Sequence, residues 1–357
     1  MSELLFHGRK AVRIENEALR VTVLQEGGHI AEVYDKRAGV SPLWIPHWES
    51  LEPSAFNPHH PGIFGAGVDG KLLAGIMGHN LCLDIFGGPS EDEAAAGLTA
   101  HGEGSVGAYD IFEAPNMLEM QLTLSIAQLR FTRMLELRGQ DVHIQESIEN
   151  LAGVDRAIGW TQHVTLSPPF LNPETTEFRA SVTRSIVSET DPGFAMDFAA
   201  GQEFLWPHVP LGRNGVGGGT ADLRTTDLRR MHSTAPASGY TAHIADPTQE
   251  YAHFIAFEPK YKLAFGYIWK RAEFPWLGIW EENCSRPSSP WDSVTVTRGM
   301  EFGVSPFPES RRAMVERGRL LDTPTFRWMP ANGRLEAEYW IASQITDAIP
   351  ESLNWPV

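Results

Sequence analysis

The sequence predicts an all-β protein, built as a large antiparallel β-sandwich with few short helices. Short runs of alternating apolar and polar residues recur along all 357 residues, and turn-forming residues separate them at frequent intervals. No repeat of fixed period is present in the sequence, which favours a sandwich over a propeller. We expect residues 1–357 to form a single domain, because β-sandwiches often exceed 200 residues.

The elements of the first half follow from local patterns. Residues 11–24 alternate around a polar turn, which is typical of a hairpin. Residues 42–61 are rich in Pro, Trp, His and Asn and predict a long loop, which either walls a pocket or packs as a compact surface loop. A glycine-flanked strand is expected within residues 78–88, a short helical turn at 91–96 and a three-stranded meander at 117–149.

In the second half, residues 157–166 predict a strand on which Thr161, His163 and Thr165 share one face. A lone strand histidine is either a structural hydrogen-bonding group or a catalyst. The glycine-rich residues 211–219 do not link a strand to a helix, so they predict a flexible loop rather than a dinucleotide site. Further strands are expected at residues 253–257, 263–269, 293–303 and 335–343, with one short helix at 309–319.

The run Phe-Pro-Trp-Leu-Gly-Ile-Trp-Glu-Glu-Asn at residues 274–283 predicts a strand with two different faces. Leu277 and Ile279 point to a core, whereas Trp276, Gly278, Trp280 and Glu282 point the other way. Indole planes beside a carboxylate suit a sugar, although the tryptophans could equally pack under a loop. A regular strand directs Glu281 into the core, where an unpaired carboxylate is costly, and a bulge would exchange the two glutamates.

Composition excludes several classes of function. Lys and Arg number 29 against 45 Asp and Glu, a net charge of −16, which disfavours nucleic acid and anionic membranes as partners. The two cysteines, Cys82 and Cys284, exclude a disulfide scaffold and a cysteine zinc site. Because the chain shows no signal-peptide pattern and no long apolar window, we expect a cytoplasmic protein.

Familiar catalytic motifs are missing from the sequence. Neither a P-loop nor a His-Glu-x-x-His motif occurs, and residues 103–107 miss the nucleophile elbow because Glu103 replaces its first glycine. The thirteen histidines include no pair with the spacing of a metal motif. We therefore expect neither a metal nor an organic cofactor.

Three segments, taken in order, carry a resemblance to a known family. His101 lies in Ala-His-Gly, His163 lies near the end of a strand that precedes Pro-Pro-Phe, and Glu282 closes a Gly-x-x-x-Glu strand. Together they resemble the aldose 1-epimerase (galactose mutarotase-like) superfamily, of which this chain would be a divergent member. The resemblance implies the supersandwich fold, a substrate-orienting role for His101, a general-acid role for His163 and a general-base role for Glu282.

The expected activity is the interconversion of the anomers of a free sugar by acid–base catalysis. Besides the catalytic Glu282 and His163, the residues expected to bind substrate are His101, Trp276, Trp280, Glu281, Glu301 and His79, with Glu301 as the reserve carboxylate. The expected partner is a small-molecule carbohydrate, and the expected state is a monomer or homodimer. The alternatives are a non-catalytic carbohydrate-binding protein on the same fold, or another sugar isomerase or a glycosidase, which needs two carboxylates across the cleaved bond.

Overall fold

A computed structural model describes residues 4–189, 198–212, 224–232 and 234–353. In the first half the strands are β1 (Leu4–Phe6), β2 (Arg9–Glu15), β3 (Leu19–Leu24), β4 (Ile30–Asp35), β5 (His79–Leu83), β6 (Asp110–Ala114), β7 (Met117–Leu124), β8 (Leu129–Arg138), β9 (Asp141–Asn150), β10 (Arg156–Ile158), β11 (Trp160–Leu166), β12 (Glu177–Ala180) and β13 (Val182–Val187).

The second half continues with β14 (Glu203–Leu205), β15 (His208–Pro210), β16 (Thr225–Asp227), β17 (Ala237–Ala245), β18 (Tyr251–Glu258), β19 (Leu263–Lys270), β20 (Trp276–Asn283), β21 (Val296–Gly303), β22 (Arg319–Leu320), β23 (Thr323–Pro324), β24 (Arg327–Met329) and β25 (Arg334–Ile345). The helices are α1 (Gly70–Gly75), α2 (Glu91–Ala95) and α3 (Arg311–Arg317), with single 3-10 turns at Pro53–Ala55, Gly62–Phe64 and Glu103–Ser105.

Two antiparallel sheets make up the sandwich. Among the described residues, the larger sheet has eleven strands in the order β1-β2-β3-β4-β5-β11-β21-β20-β17-β13-β14. The smaller sheet has eight described strands in the order β12-β18-β19-β25-β9-β8-β7-β6. The predicted all-β antiparallel sandwich is therefore confirmed.

The main core lies between the two sheets. Alternation along each strand sends one set of apolar side chains inward, and Val21 and Val164 of the larger sheet join Phe131, Ile144 and Phe265 of the smaller one in one fully buried cluster. Burying each of these side chains stabilises the fold by about 1.5–3 kcal/mol. Leu277 and Ile279 belong to this cluster, as their alternation predicts.

The outer face of the larger sheet is also covered. Trp276 and Trp280 of β20 pack there in a second apolar cluster with Trp44 from the loop of residues 42–61 and Leu72 from α1. Loops and short helices thus bury the side of the sheet that an open antiparallel sheet would expose to water. This explains why every residue of β20 is buried.

Several predicted elements are confirmed. The hairpin of residues 11–24 is β2 and β3, the meander is β7 to β9, and the short helix near residue 311 is α3. The helical turn at Glu91–Ala95 begins with a capping box formed by Ser90 and Glu93. Residues 213–219 of the predicted glycine-rich loop lie outside the described residues.

Within the described ranges, no helix combines the length and the apolar character that crossing a membrane requires.

Candidate functional site

A cavity of about 270 Å³ opens on the outer face of the larger sheet. Polar side chains from three strands of the larger sheet line it, with His163 on β11, Glu301 on β21 and, beyond β20, Tyr240 on β17. Aromatic and apolar groups from Trp280, the covering loops and α1 form the walls. The cavity is also lined by His101, Trp44, Arg286, Trp291 and Asp69.

His163 and Glu301 meet because their strands are paired residue against residue. The two residues are directly opposite each other in the antiparallel β11–β21 ladder, which brings their side chains to the same face. Nε2 of His163 lies 3.1 Å from Oε1 of Glu301. On the other side of the ring, Nδ1 lies 3.2 Å from Oγ1 of Thr165 and 3.4 Å from Nδ2 of Asn80, so the imidazole is held at both nitrogens.

Burial moves the proton affinities of this pair in opposite directions. Loss of hydration raises the pKa of Glu301 from 4.5 to about 8, and the Tyr240 hydroxyl partly opposes this increase. The same loss of hydration lowers the pKa of His163 from 6.5 to about 4. Both shifts disfavour the charged forms, so burial favours a protonated carboxyl group against a neutral imidazole over an ion pair.

His101 reaches the cavity from a loop in which two successive residues adopt positive φ, +63° for His101 and +77° for Gly102. Nδ1 of His101 donates a hydrogen bond to Oδ1 of Asn80 at 3.0 Å, and its ring centroid is 4.7 Å from that of His163. Burial, followed by the neighbouring His163, lowers the pKa of His101.

Aromatic side chains and the guanidinium group of Arg286 form the walls of the cavity. Trp44 and Trp291 are stacked with centroids 6.0 Å apart, and Trp280 stands edge-on to Trp291 at 6.0 Å. The guanidinium carbon of Arg286 lies 4.6 Å from the ring centroid of Trp291, and its Nε is 3.2 Å from Oε2 of Glu282. The cavity thus offers flat apolar faces beside a cluster of polar groups, which is the combination that binds sugars.

Comparisons with solved structures show how this architecture relates to known proteins. A proposed aldose 1-epimerase from Klebsiella pneumoniae is similar with a TM-score of 0.63 and 12% identity, over 95% of this chain and 80% of that one. A second proposed aldose 1-epimerase, from Escherichia coli K12, gives 0.62 and 11%, over 95% and 100%. A galactose mutarotase-like protein from Clostridium acetobutylicum gives 0.60 and 13%, over 97% and 98%.

The chain has the galactose mutarotase-like fold. At 11–13% identity these similarities establish the fold alone, and any activity must be argued from the residues of the site. At the level of sequence, no protein-family model and no curated protein matches the chain.

Within the mutarotase-like fold, the structure does not bring Glu282 to His163. Glu282 lies opposite Thr297 on β21, four residues along the ladder from the Gly278–Glu301 pair, a separation of roughly 13 Å along the strand. Its carboxylate instead accepts hydrogen bonds from the backbone N–H of Ser285 at 2.6 Å and from Oγ of Ser285 at 2.7 Å. This corrects the expectation that Glu282 faces the histidine, and Glu301 takes that position.

Three further residues expected to bind substrate lie away from the cavity. Trp276 is fully buried and donates its indole N–H to the carbonyl oxygen of Pro324 at 2.8 Å. Glu281 points toward the inner face of β20, as a regular strand predicts, where it forms an ion pair with the buried Arg298 at 3.1 Å. His79 faces the space between the sheets and contacts Gln162 at 2.9 Å. These positions correct the expectation for each residue and indicate structural roles.

Other groups at the site escaped the sequence analysis. Asn80, which contacts both histidines, and Tyr240 lie on strands whose buried polar residues carry no local signature. Arg286 lies in the loop that follows β20. Trp44 comes from the loop of residues 42–61, for which a pocket wall was one of two interpretations. Gly278 on β20 and Gly299 on β21 lack side chains beside Glu301, and these two glycines are the sequence signal that could have indicated a cavity there.

Within the part of the chain that the structure describes, no group of three or more His, Cys, Asp or Glu side chains is arranged to hold a metal ion.

Proposed function

We propose that this protein is an aldose 1-epimerase-like enzyme, which interconverts the anomers of a free sugar in the cavity beside Trp280. The observation that carries the proposal is the 3.1 Å contact between Nε2 of His163 and Oε1 of Glu301 at the cavity wall. Ring opening of a cyclic sugar moves protons at two oxygens bonded to the same carbon. An acid and a base in direct contact are spaced to serve both oxygens at once.

The proton affinities assign the roles. The protonated Glu301 gives its proton to the ring oxygen as the bond between that oxygen and the anomeric carbon breaks. This step uses the tautomer of His163 that carries its ring proton on Nδ1, where Oγ1 of Thr165 at 3.2 Å accepts it. Nε2 of the neutral ring is then free to take the proton of the anomeric hydroxyl, whose oxygen becomes the aldehyde oxygen. The resulting carboxylate and imidazolium form an ion pair. After rotation about the bond next to the aldehyde carbon, the reverse transfers close the ring on its other face.

The walls fit the substrate class. A cavity of about 270 Å³ is at the lower end of the size of small-molecule sites, which favours a single sugar ring over a longer chain. The apolar C–H face of the ring can stack on Trp280, and His101 and Arg286 supply further hydrogen bonds to its hydroxyl groups. The glycosidase alternative needs a second carboxylate about 5–5.5 Å or 6.5–9.5 Å from the first, for which Asp69 is the candidate in the cavity lining. The contact between His163 and Glu301 that carries the proposal requires no such group.

Anomeric exchange followed by NMR across a panel of free aldoses tests this proposal. We expect the wild-type protein to accelerate exchange of at least one sugar, and Glu301→Gln and His163→Gln each to reduce the acceleration by about 10²–10⁴-fold. Glu282→Gln is the discriminating variant, since it removes the other candidate carboxylate and should retain most of the acceleration. Thermal melts check that each variant is folded.

Two results would contradict the proposal. One is full acceleration in a folded Glu301→Gln variant with loss of acceleration in Glu282→Gln. The other is a wild-type protein that accelerates no sugar; sugar binding by calorimetry would then support the non-catalytic carbohydrate-binding alternative on the same fold. The proposal also retains a cytoplasmic location, which the two free cysteines support, and a monomer or homodimer as the oligomeric state.

A further inference from the structure

The hydroxyl of Tyr240 is a buried polar group directed at the cavity. The residue is only 4% exposed, and its ring packs between Phe86 and Phe307, with centroid distances of 6.5 and 6.1 Å. Among the described residues, its oxygen makes no hydrogen bond of normal geometry. Because a buried hydroxyl without a partner is unfavourable, such a group in a cavity wall points to a ligand that completes it.

Two glycines create the space that this hydroxyl occupies. A Cβ atom at Gly278 of β20 would lie 1.9 Å from the Tyr240 oxygen. A Cβ atom at Gly299 of β21 would lie 2.5 Å from Oε1 of Glu301. Since Gly278 is directly opposite Glu301 in the β20–β21 ladder, the two missing side chains open one continuous space for the phenol and the carboxyl group.

The phenol and the carboxyl group influence each other's protons. Burial, and next the nearby Glu301, holds the pKa of Tyr240 well above 10.0, so the hydroxyl is a hydrogen-bond donor at working pH. In return, Tyr240 lowers the pKa of Glu301 against the larger effect of burial. The other titratable groups around this pair are His163 on β11, Cys82 on β5 and Glu309 before α3.

We propose that the Tyr240 hydroxyl is a ligand-binding group, which donates a hydrogen bond to a sugar oxygen adjacent to the one served by Glu301 and which, without a ligand, keeps only a poorly aligned interaction with the Glu301 carboxyl. The part that concerns a sugar rests on the proposed function. The part that concerns Glu301 rests only on the positions of Tyr240, Gly278 and Gly299.

The part that concerns Glu301 is tested without any substrate. In protein labelled with ¹³C at the glutamate carboxyl carbons, the Glu301 resonance is identified by its loss in Glu301→Gln, and its shift is followed with pH. Tyr240→Phe keeps the ring and removes only the hydroxyl. We expect the midpoint of the titration to rise by about one pH unit, because the carboxylate loses a donor. An unchanged or lower midpoint in the folded variant would overturn this part.

The ligand-binding part is tested with a sugar that the wild-type protein accelerates or binds. We expect Tyr240→Phe to raise KM, or the dissociation constant by calorimetry, about tenfold at an unchanged melting temperature. Gly278→Ala, which displaces the hydroxyl without removing it, should act in the same direction. Gly153→Ala is the matched control, because a Cβ atom there meets nothing within 4 Å.

Failure of the proposed function can be distinguished from failure of the ligand-binding role of Tyr240. If the wild-type protein neither accelerates nor binds any sugar, the proposed function and the sugar contact of Tyr240 both fail, while the carboxyl titration still decides the interaction with Glu301. If a sugar is bound and Tyr240→Phe leaves KM and the dissociation constant unchanged, the ligand-binding role of Tyr240 is overturned and the proposed function stands.

Discussion

At the level of single residues, burial rather than charge pairing determines how the site holds its protons. The side chain of Glu301 is 2% exposed and that of His163 is 8% exposed, so each group loses the water that would stabilise its charged form. An exposed pair at the same distance would carry opposite charges at neutral pH. Here burial favours the neutral forms, and the acid and base roles that we propose are therefore the reverse of those that the sequence resemblance implies.

The pH dependence of the reaction follows from these two groups. We expect kcat/KM to be highest between about pH 4, below which His163 gains a proton, and about pH 8, above which Glu301 loses one. Anomeric exchange rates measured across this range, with melts at each pH to exclude unfolding, check the prediction. A rate that rises through pH 8 would contradict the role of Glu301 as the acid.

At this scale the sequence predicts which residues belong to the site more readily than it predicts which side chains they contact. The strand and loop patterns singled out His101, His163, Trp280 and Glu301, which the structure brings to one cavity. The pattern of β5 could not single out Asn80, whose contacts with both histidines depend on a partner strand far away in the sequence. A buried amide has the same local signature whether it supports a core or a site.

At the level of elements, β20 shows what alternation predicts and what it leaves open. Its two faces were predicted correctly, with Leu277 and Ile279 in the main core and Trp280 on the outer face. Alternation defines the face of a side chain but not its register against the neighbouring strand. Which of Glu282 and Glu301 meets His163 is decided by that register, which requires the pairing of β11, β21 and β20 to be known.

The two adjacent glutamates of β20 should therefore differ in their effect on stability. Glu281→Gln leaves the charge of the buried Arg298 without its counter-ion, and we expect a loss of about 3–5 kcal/mol. Glu282→Gln weakens the hydrogen bonds to Ser285 and the ion pair with Arg286. Because the Arg286 side chain is 20% exposed and can be hydrated, we expect a smaller loss of about 1–2 kcal/mol. Urea unfolding of both variants measures the difference; equal losses would contradict this assignment of roles.

At the level of the whole molecule, the buried carboxylate of Glu146 connects the two sheets. Glu146 on β9 accepts hydrogen bonds from Nε of Arg133 and the Tyr339 hydroxyl on its own sheet, both at 2.7 Å. It also accepts hydrogen bonds from the larger sheet, from Nε1 of Trp160 at 2.9 Å and Nε2 of Gln162 at 2.7 Å. All four donors are directed at two oxygens, so the network is satisfied only when the sheets are packed in this register.

The number of domains is a second property of the whole molecule. The interpretation of residues 1–357 as one domain stays a prediction, and unfolding of the wild-type protein tests it. We expect fluorescence and circular dichroism to report coincident transitions, because the main core draws on both sheets. Two well-separated transitions would contradict a single domain.

A change in the network around Glu146 should lower the free energy of unfolding without changing the rate of anomeric exchange. Glu146→Gln cannot accept four hydrogen bonds and leaves the charge of Arg133 unbalanced, so we expect a loss of about 3–5 kcal/mol in the free energy of unfolding. Glu149→Gln is the matched control on the same strand, because its partly exposed pairing with Arg130 should contribute no more than about 1 kcal/mol. Glu146 lies between the sheets and the cavity lies on the outer face of the larger one, so the rate of anomeric exchange per folded molecule should be unchanged in both variants. A folded Glu146→Gln protein with a reduced rate would mean that the network between the sheets also positions His163 through β11.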